Sequence, residues 1–227
     1  MSKLVEQYSG QGATGYDDQR VGTKRFKAEE AAFDKLFALA KPRTVLDIPV
    51  GTGRWLPAYV RAGVEVVGID ASKDMLQEAG KKLQTLGATG IELVQGDAFD
   101  CGFFQSLGRR FDLVVCVRFL NWIPSDKVAA ILKNLDDVAE NHVLIGVGVL
   151  QGRKGSIQRL RAKLTLWSTN MRRKRQGRAQ EHVHDPDFIA SLTESLGWQE
   201  VERSYIFSRN GRDSFFVLYR RSTQGTI

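Results

Sequence analysis

Cysteine is nearly absent from this chain: Cys101 and Cys116 are the only two in 227 residues. Two thiols in different predicted elements make no disulfide framework, so the fold must rest on an apolar core, and neither thiol has metal-site spacing. No metal is expected. Proline is scarce as well, five in all, and acts as punctuation: Pro42 and Pro49 bracket one short apolar run. No apolar stretch approaches the roughly 20 residues of a membrane-spanning helix. The longest, Val143 to Leu150, is short and carries glycines, and the N-terminus has no signal-peptide core. A cytoplasmic protein is expected. Acid is missing from one region only. Between Asn141 and Gln180 there are ten Lys or Arg and no Asp or Glu, and the net +7 less these ten leaves −3 for the rest. The basicity thus belongs to one insertion. With 42% hydrophobic residues and no internal repeat, residues 1–227 are read as a single α/β domain.

What is present is led by Val45-Leu46-Asp47-Ile48-Pro49-Val50-Gly51-Thr52-Gly53. Its first half reads as a strand buried on both faces. Gly51 and Gly53 let the backbone take positive φ and approach a ligand that a Cβ would push away, and Thr52 can cap the helix after it. A dinucleotide loop would want G-x-G-x-x-G with the pyrophosphate on a helix N-terminus. Here the third glycine is missing, and the acid Asp47 precedes the glycines. A carboxylate aimed into the loop would repel a pyrophosphate and suit a sulfonium or ammonium charge. That favours S-adenosyl-L-methionine over NAD.

These residues resemble the first motif of the class I S-adenosylmethionine-dependent methyltransferases, with Pro49 standing where the first glycine usually is. Three further segments come after it in the family's order. Val64 to Asp70 is a strand ending in an acid, which the resemblance assigns to the ribose hydroxyls; Ala71 comes next, Ser72 caps a helix, and Met75 falls where relatives pack on the adenine. Ile91 to Phe99 ends in Asp97-Ala98-Phe99, where relatives hold the adenine amino group and ring nitrogen. Phe111 to Arg118 leads through Val117, Arg118 and Phe119 to Asn121 and Trp122, in the loop that faces cofactor and substrate. Relatives often carry a histidine there, and this chain does not. Tyr16-Asp17-Asp18-Gln19-Arg20 is similar to the segment that closes over the methionine end in relatives acting on small molecules, with Tyr16 and Arg20 in those roles. Residues 1–26 are therefore read as a cofactor-covering segment.

The implied fold is a Rossmann-like doubly wound sheet, mostly parallel, with an antiparallel C-terminal hairpin strand. A helix from about Lys27 to Ala40 precedes four strand–helix units and a fifth strand at His142 to Val149. A helix near Asp187 to Leu196 and strands at Gln199 to Phe207 and Ser214 to Tyr219 close the chain, the last two joined by Asn210-Gly211. Three acids ending separate strands, Asp47, Asp70 and Asp97, would line one crevice at the strands' carboxyl ends.

Residues 151–182 are read as a basic helical lid. Ile157, Leu160, Leu164, Trp167 and Met171 recur at steps of three and four, so the helix has one apolar face. The plain expectation packs that face on the domain and leaves the arginines in water. A lipid surface, nucleic acid and a pocket for an anionic substrate are the alternatives. His184, ahead of His182, is the candidate base for deprotonating an acceptor, with Asn121 beside it; His142 reads as structural. The functional reading is methyl transfer from S-adenosylmethionine to an O, N or C nucleophile of a small acceptor, anionic or linked to lipid or sugar. RNA methylation through the basic insertion and a non-catalytic cofactor-binding regulator are the other readings. Peripheral membrane contact through the basic helix enters as a partner, and the oligomeric state is left open.

Overall fold

The computed structural model describes Glu6 and residues 21–150, 156–209 and 212–222. Tyr16 and Arg20, read as cofactor-covering, lie outside these residues, as does the Asn210-Gly211 turn.

Helix α1 (Lys24–Ala40) starts earlier than the apolar pattern predicts because Thr23 caps it, its hydroxyl accepting from the Phe26 N–H. Then come β1 (Thr44–Asp47), α2 (Leu56–Ala62), β2 (Glu65–Asp70), α3 (Lys73–Leu86), β3 (Ile91–Gln95), α4 (Cys101–Ser106), β4 (Phe111–Cys116), a short 3₁₀ turn (Leu120–Trp122) and α5 (Ser125–Val138). Strand β5 (Ala139–Leu150) continues from α5 without a loop, so it begins three residues before the predicted start. Helix α6 (Ile157–Arg175), α7 (Pro186–Ser195), β6 (Trp198–Arg209) and β7 (Arg212–Arg221) complete the chain. Ser72 and Asp185 cap α3 and α7 as expected.

The sheet has seven strands in the order β3-β2-β1-β4-β5-β7-β6, with β7 antiparallel to both neighbours and the first five parallel. Strand β4 lies at the centre with β1 beside it, and strand order reverses between these two, which opens a crevice at their carboxyl ends. Because side chains alternate along a strand, β1 feeds two cores. Leu46 joins Val114, Cys116 and Ile145 under α5, whereas Val45 joins Val115 beneath Phe33 and Leu36 of α1 and Tyr59 of α2.

Helix α6 corrects one expectation. Its apolar stripe does not pack on the domain: Ile157 is 72% exposed, Leu160 58%, Leu164 57%, Trp167 64% and Met171 38%, while Arg159 and Ala162 are buried. The helix is held by its polar side. Arg159 pairs with Asp185 at 2.8 Å, Asn170 exchanges two hydrogen bonds with the Glu181 backbone, and Arg173 donates to the Ala179 carbonyl at 2.6 Å. Periodicity finds an apolar face but does not say which way it turns, and here these polar anchors decide.

Candidate active site

The crevice is built first by the β1–α2 turn. Val50 donates to the Ile69 carbonyl at 2.8 Å, tying the turn to β2. Gly51 and Gly53 both have positive φ, +58° and +72°, yet serve different ends. A Cβ on Gly51 would meet nothing within 4 Å, and this residue lines the crevice with Pro49 and Thr52. A Cβ on Gly53 would sit 2.2 Å from Leu56 Cδ1, so this glycine seats the turn on α2 and is not part of the lining.

Asp70, at the end of β2, staples two loops. One carboxylate oxygen accepts the Gly51 N–H at 2.9 Å and the other the Ser72 N–H at 2.8 Å. Burial pushes its pKa up, opposed by backbone donors from Ser72, Gly51 and Ala71. It lines the crevice with Ala71, Ser72 and Met75. Beyond β3, Asp97, Ala98 and Phe99 form the next wall; Asp97 accepts the Phe99 N–H at 3.0 Å, and the Ala98 carbonyl is held by Asn134 at 3.0 Å.

Asp47 is not in the crevice. It is 1% exposed and lies on the Val45 side of β1, where the Tyr59 hydroxyl donates to one of its oxygens at 3.1 Å. Its other oxygen has no partner among the described residues. Burial, with Asp70 nearby, raises its pKa to about 8 despite the Tyr59 bond. At neutral pH it is uncharged, which corrects the expectation of a carboxylate aimed at a cationic ligand. The physical reason is the two-residue alternation of β1, which turns this side chain under α2.

After β4 the chain turns sharply. Arg118 holds φ +62°, and β5 makes room for the turn with glycines: a Cβ on Gly146 would lie 2.9 Å from the Arg118 nitrogen, and one on Gly148 would lie 2.8 Å from Asn121 Oδ1. Val117, Arg118, Phe119 and Trp122 close the crevice. Arg118 and Trp122 also line a second cavity with Arg25, Asn121, Arg173, Arg178, Glu181, His182 and Arg212. Five arginines face one carboxylate there. Glu181 itself pairs with Arg173 at 3.6 Å and with Arg212, and Arg173 lies 4.7 Å over the Trp122 ring.

The two candidate histidines separate. His182 lines the second cavity, its backbone N–H donating to the Asn121 carbonyl at 2.7 Å. Burial and the neighbouring His184 lower its pKa, opposed by Asp126, so its imidazole is neutral at pH 7. His184, placed first from sequence, is 0% exposed and lines neither cavity. Its ring is wedged between Ser125 Oγ at 3.1 Å and the Leu120 carbonyl at 2.9 Å, which makes it a brace between the 3₁₀ turn and α5.

Sequence reasoning missed the charge beneath the crevice. Glu29 is buried and bound by Arg25 at 2.8 Å, by Arg54, and by Arg118 at 3.8 Å. Arg54 and Arg118 both line the crevice. These arginines hold the Glu29 carboxyl below its usual range although burial opposes them. The available signal was Glu29 itself, an acid on the stripe Glu29, Ala32, Phe33, Leu36 and Ala40 that α1 turns to the core.

Comparison with known proteins agrees with this architecture. The family described as methyltransferase domain matches residues 45–142. A phosphatidylethanolamine N-methyltransferase of Cereibacter sphaeroides is 33% identical over 112 residues, 44% of this chain and 53% of that protein. A magnesium-protoporphyrin O-methyltransferase of Synechocystis sp. is 28% identical over 101 residues, 44% of this chain and 42% of that protein. The matches thus span about half the length of these curated relatives. The crystal structure of the Synechocystis magnesium protoporphyrin IX methyltransferase with bound S-adenosylhomocysteine superposes with a TM-score of 0.72 at 17% identity, covering 96% of this chain and 97% of that one. Residues 45–142 thus match the methyltransferase domain family, and the chain as a whole shares the fold of the Synechocystis enzyme.

Proposed function

We propose that this protein uses S-adenosylmethionine to methylate an O, N or C nucleophile of a small anionic acceptor seated in the arginine-rich cavity. The observation that carries the reading is the pair of adjoining cavities sharing Arg118 and Trp122, one shaped by the methyltransferase loops and the other by five arginines. The first fits the cofactor's parts. The two oxygens of Asp70 suit a vicinal diol. Met75, Ala98 and Phe99 offer an apolar slot for a base, and Arg54 and Arg118 supply positive charge for a carboxylate, a role given from sequence to Arg20.

When bound, the cofactor supplies a methyl group already activated by a sulfonium charge. The chain's own task is therefore mainly positioning. Arg212, Arg178 and Arg25 hold an anionic acceptor, Trp122 forms the shared wall, and neutral His182 takes the proton that an acceptor hydroxyl or amine gives up. Asn121 fixes His182 through its carbonyl. The relatives' names include N- and O-methylation of a lipid and a porphyrin, which supports a non-polymeric acceptor. Lipid or sugar linkage of that acceptor is compatible with a cavity that needs only an anionic group.

Calorimetric titration with S-adenosylmethionine, S-adenosylhomocysteine and NAD in parallel is the test. Binding of the adenosyl ligands alone is expected, and Asp70→Ala should weaken it by about tenfold or more through loss of two charge-assisted hydrogen bonds. Unchanged affinity in that variant would remove the ribose assignment.

A further inference from the structure

The exposed stripe of α6 has no counterpart in methyl-transfer chemistry. Five apolar side chains, Ile157, Leu160, Leu164, Trp167 and Met171, stand in solvent along one line, and nothing among the described residues covers them. At about 100° per residue the stripe points roughly 150° away from Arg159, Ala162 and Arg173, the side by which the helix is anchored. Its flanks are basic on both sides: Lys163 and Lys174 on one, Arg161 and Arg172 on the other, with Arg175 at the end. The helix has seven Lys or Arg and no acid.

We infer that α6 docks this protein on an anionic phospholipid membrane, the stripe entering the boundary between headgroups and acyl chains and the flanking cations meeting the lipid charges. Charge decides the occupant. A second copy of the chain would bring the five flanking cations against five like charges, and a nucleic acid would engage the cations but leave five apolar side chains in water. A membrane with anionic headgroups satisfies both at once. Among the described residues no helix is long and apolar enough to cross a membrane, so the contact is peripheral. Arg173, on the far side of α6, stands over Trp122 in the arginine-rich cavity, so docking sets that cavity directly behind the lipid-facing helix. The inference does not depend on which acceptor is methylated.

The test is co-sedimentation of the full chain with phosphatidylcholine vesicles with and without about one-third phosphatidylglycerol. Binding is expected only with the anionic lipid, falling about tenfold or more from low to high salt. Trp167 emission should shift to shorter wavelength on binding, and Trp167→Phe should abolish the shift. Leu160→Glu with Leu164→Glu should reduce partitioning by about tenfold or more while circular dichroism and cofactor affinity stay unchanged; because both side chains are exposed, folding should survive. Equal vesicle binding by this double variant would overturn the proposal. So would concentration-dependent dimerisation that the same variant abolishes, or RNA binding without vesicle binding.

Discussion

Asp47→Asn tests the most consequential correction that the structure makes to the motif. Asp47 titrates near 8 in the folded protein against 3.8 as its ordinary value, because burial disfavours its charge more than the Tyr59 hydroxyl supports it. The folded state therefore holds a proton that the unfolded chain releases. Its contribution to stability is fully present below the unfolded value and is lost as pH rises toward 8, by up to about 1.4 kcal/mol per pH unit. Between about pH 5 and about pH 7 the wild type should lose roughly 2–3 kcal/mol that Asp47→Asn retains, since an amide does not titrate. Asp70, whose pKa is also raised, is present in both proteins and cancels in the difference. Urea unfolding of both proteins across this range measures it. Absolute stabilities will also differ, because the amide's hydrogens meet a pocket with one unpartnered oxygen, but the slope is independent of that offset. Parallel curves, differing by less than about 0.3 kcal/mol per pH unit, would show that Asp47 is ionised in the fold and that the correction is mistaken.

Three further outcomes are expected. Gly53→Ala forces a Cβ to 2.2 Å from Leu56 and should cost about 2–4 kcal/mol, lowering Tm by roughly 5–15 °C, whereas Gly51→Ala, facing open space at a similar φ, should cost only about 1 kcal/mol; calorimetric melting separates them. Arg212→Ala should raise KM for the acceptor about tenfold or more and leave cofactor affinity unchanged, and equal loss of both would remove the arginine-rich cavity from the acceptor role. The pKa of His182 lies below the ordinary histidine value, so kcat should fall as pH drops below it and the imidazole is protonated. In His182→Gln the rate should fall by about a hundredfold and this acid limb should vanish; an unchanged pH profile would leave His182 as a wall residue.

Much of this molecule was legible in linear order. Strands ending in acids, caps such as Ser72 and Asp185, and a β-rich C-terminal pair depend on residues a few positions apart, and local geometry transmits them faithfully. Asp70, Met75, Asp97, Ala98, Arg118 and Trp122 meet in one crevice because a parallel sheet brings its carboxyl-end loops together whatever lies between them in sequence. Other features needed the assembled fold. Asp47 and Gly53 look like ligand-facing members of a motif, yet alternation and helix packing turn them inward. His184 and His182 are two residues apart, and only the 3₁₀ turn and α5 decide that one is walled in and the other opens to a cavity. The arginines of that cavity come from α1, the β4 turn, α6, the segment before α7, and β7, so no window of sequence contains them. The apolar stripe of α6 was plain in the sequence, but its direction was settled by Asp185 and Glu181, which grip the opposite side. Periodicity is a property of one element, whereas burial and charge environment are sums over neighbours that only the tertiary structure supplies.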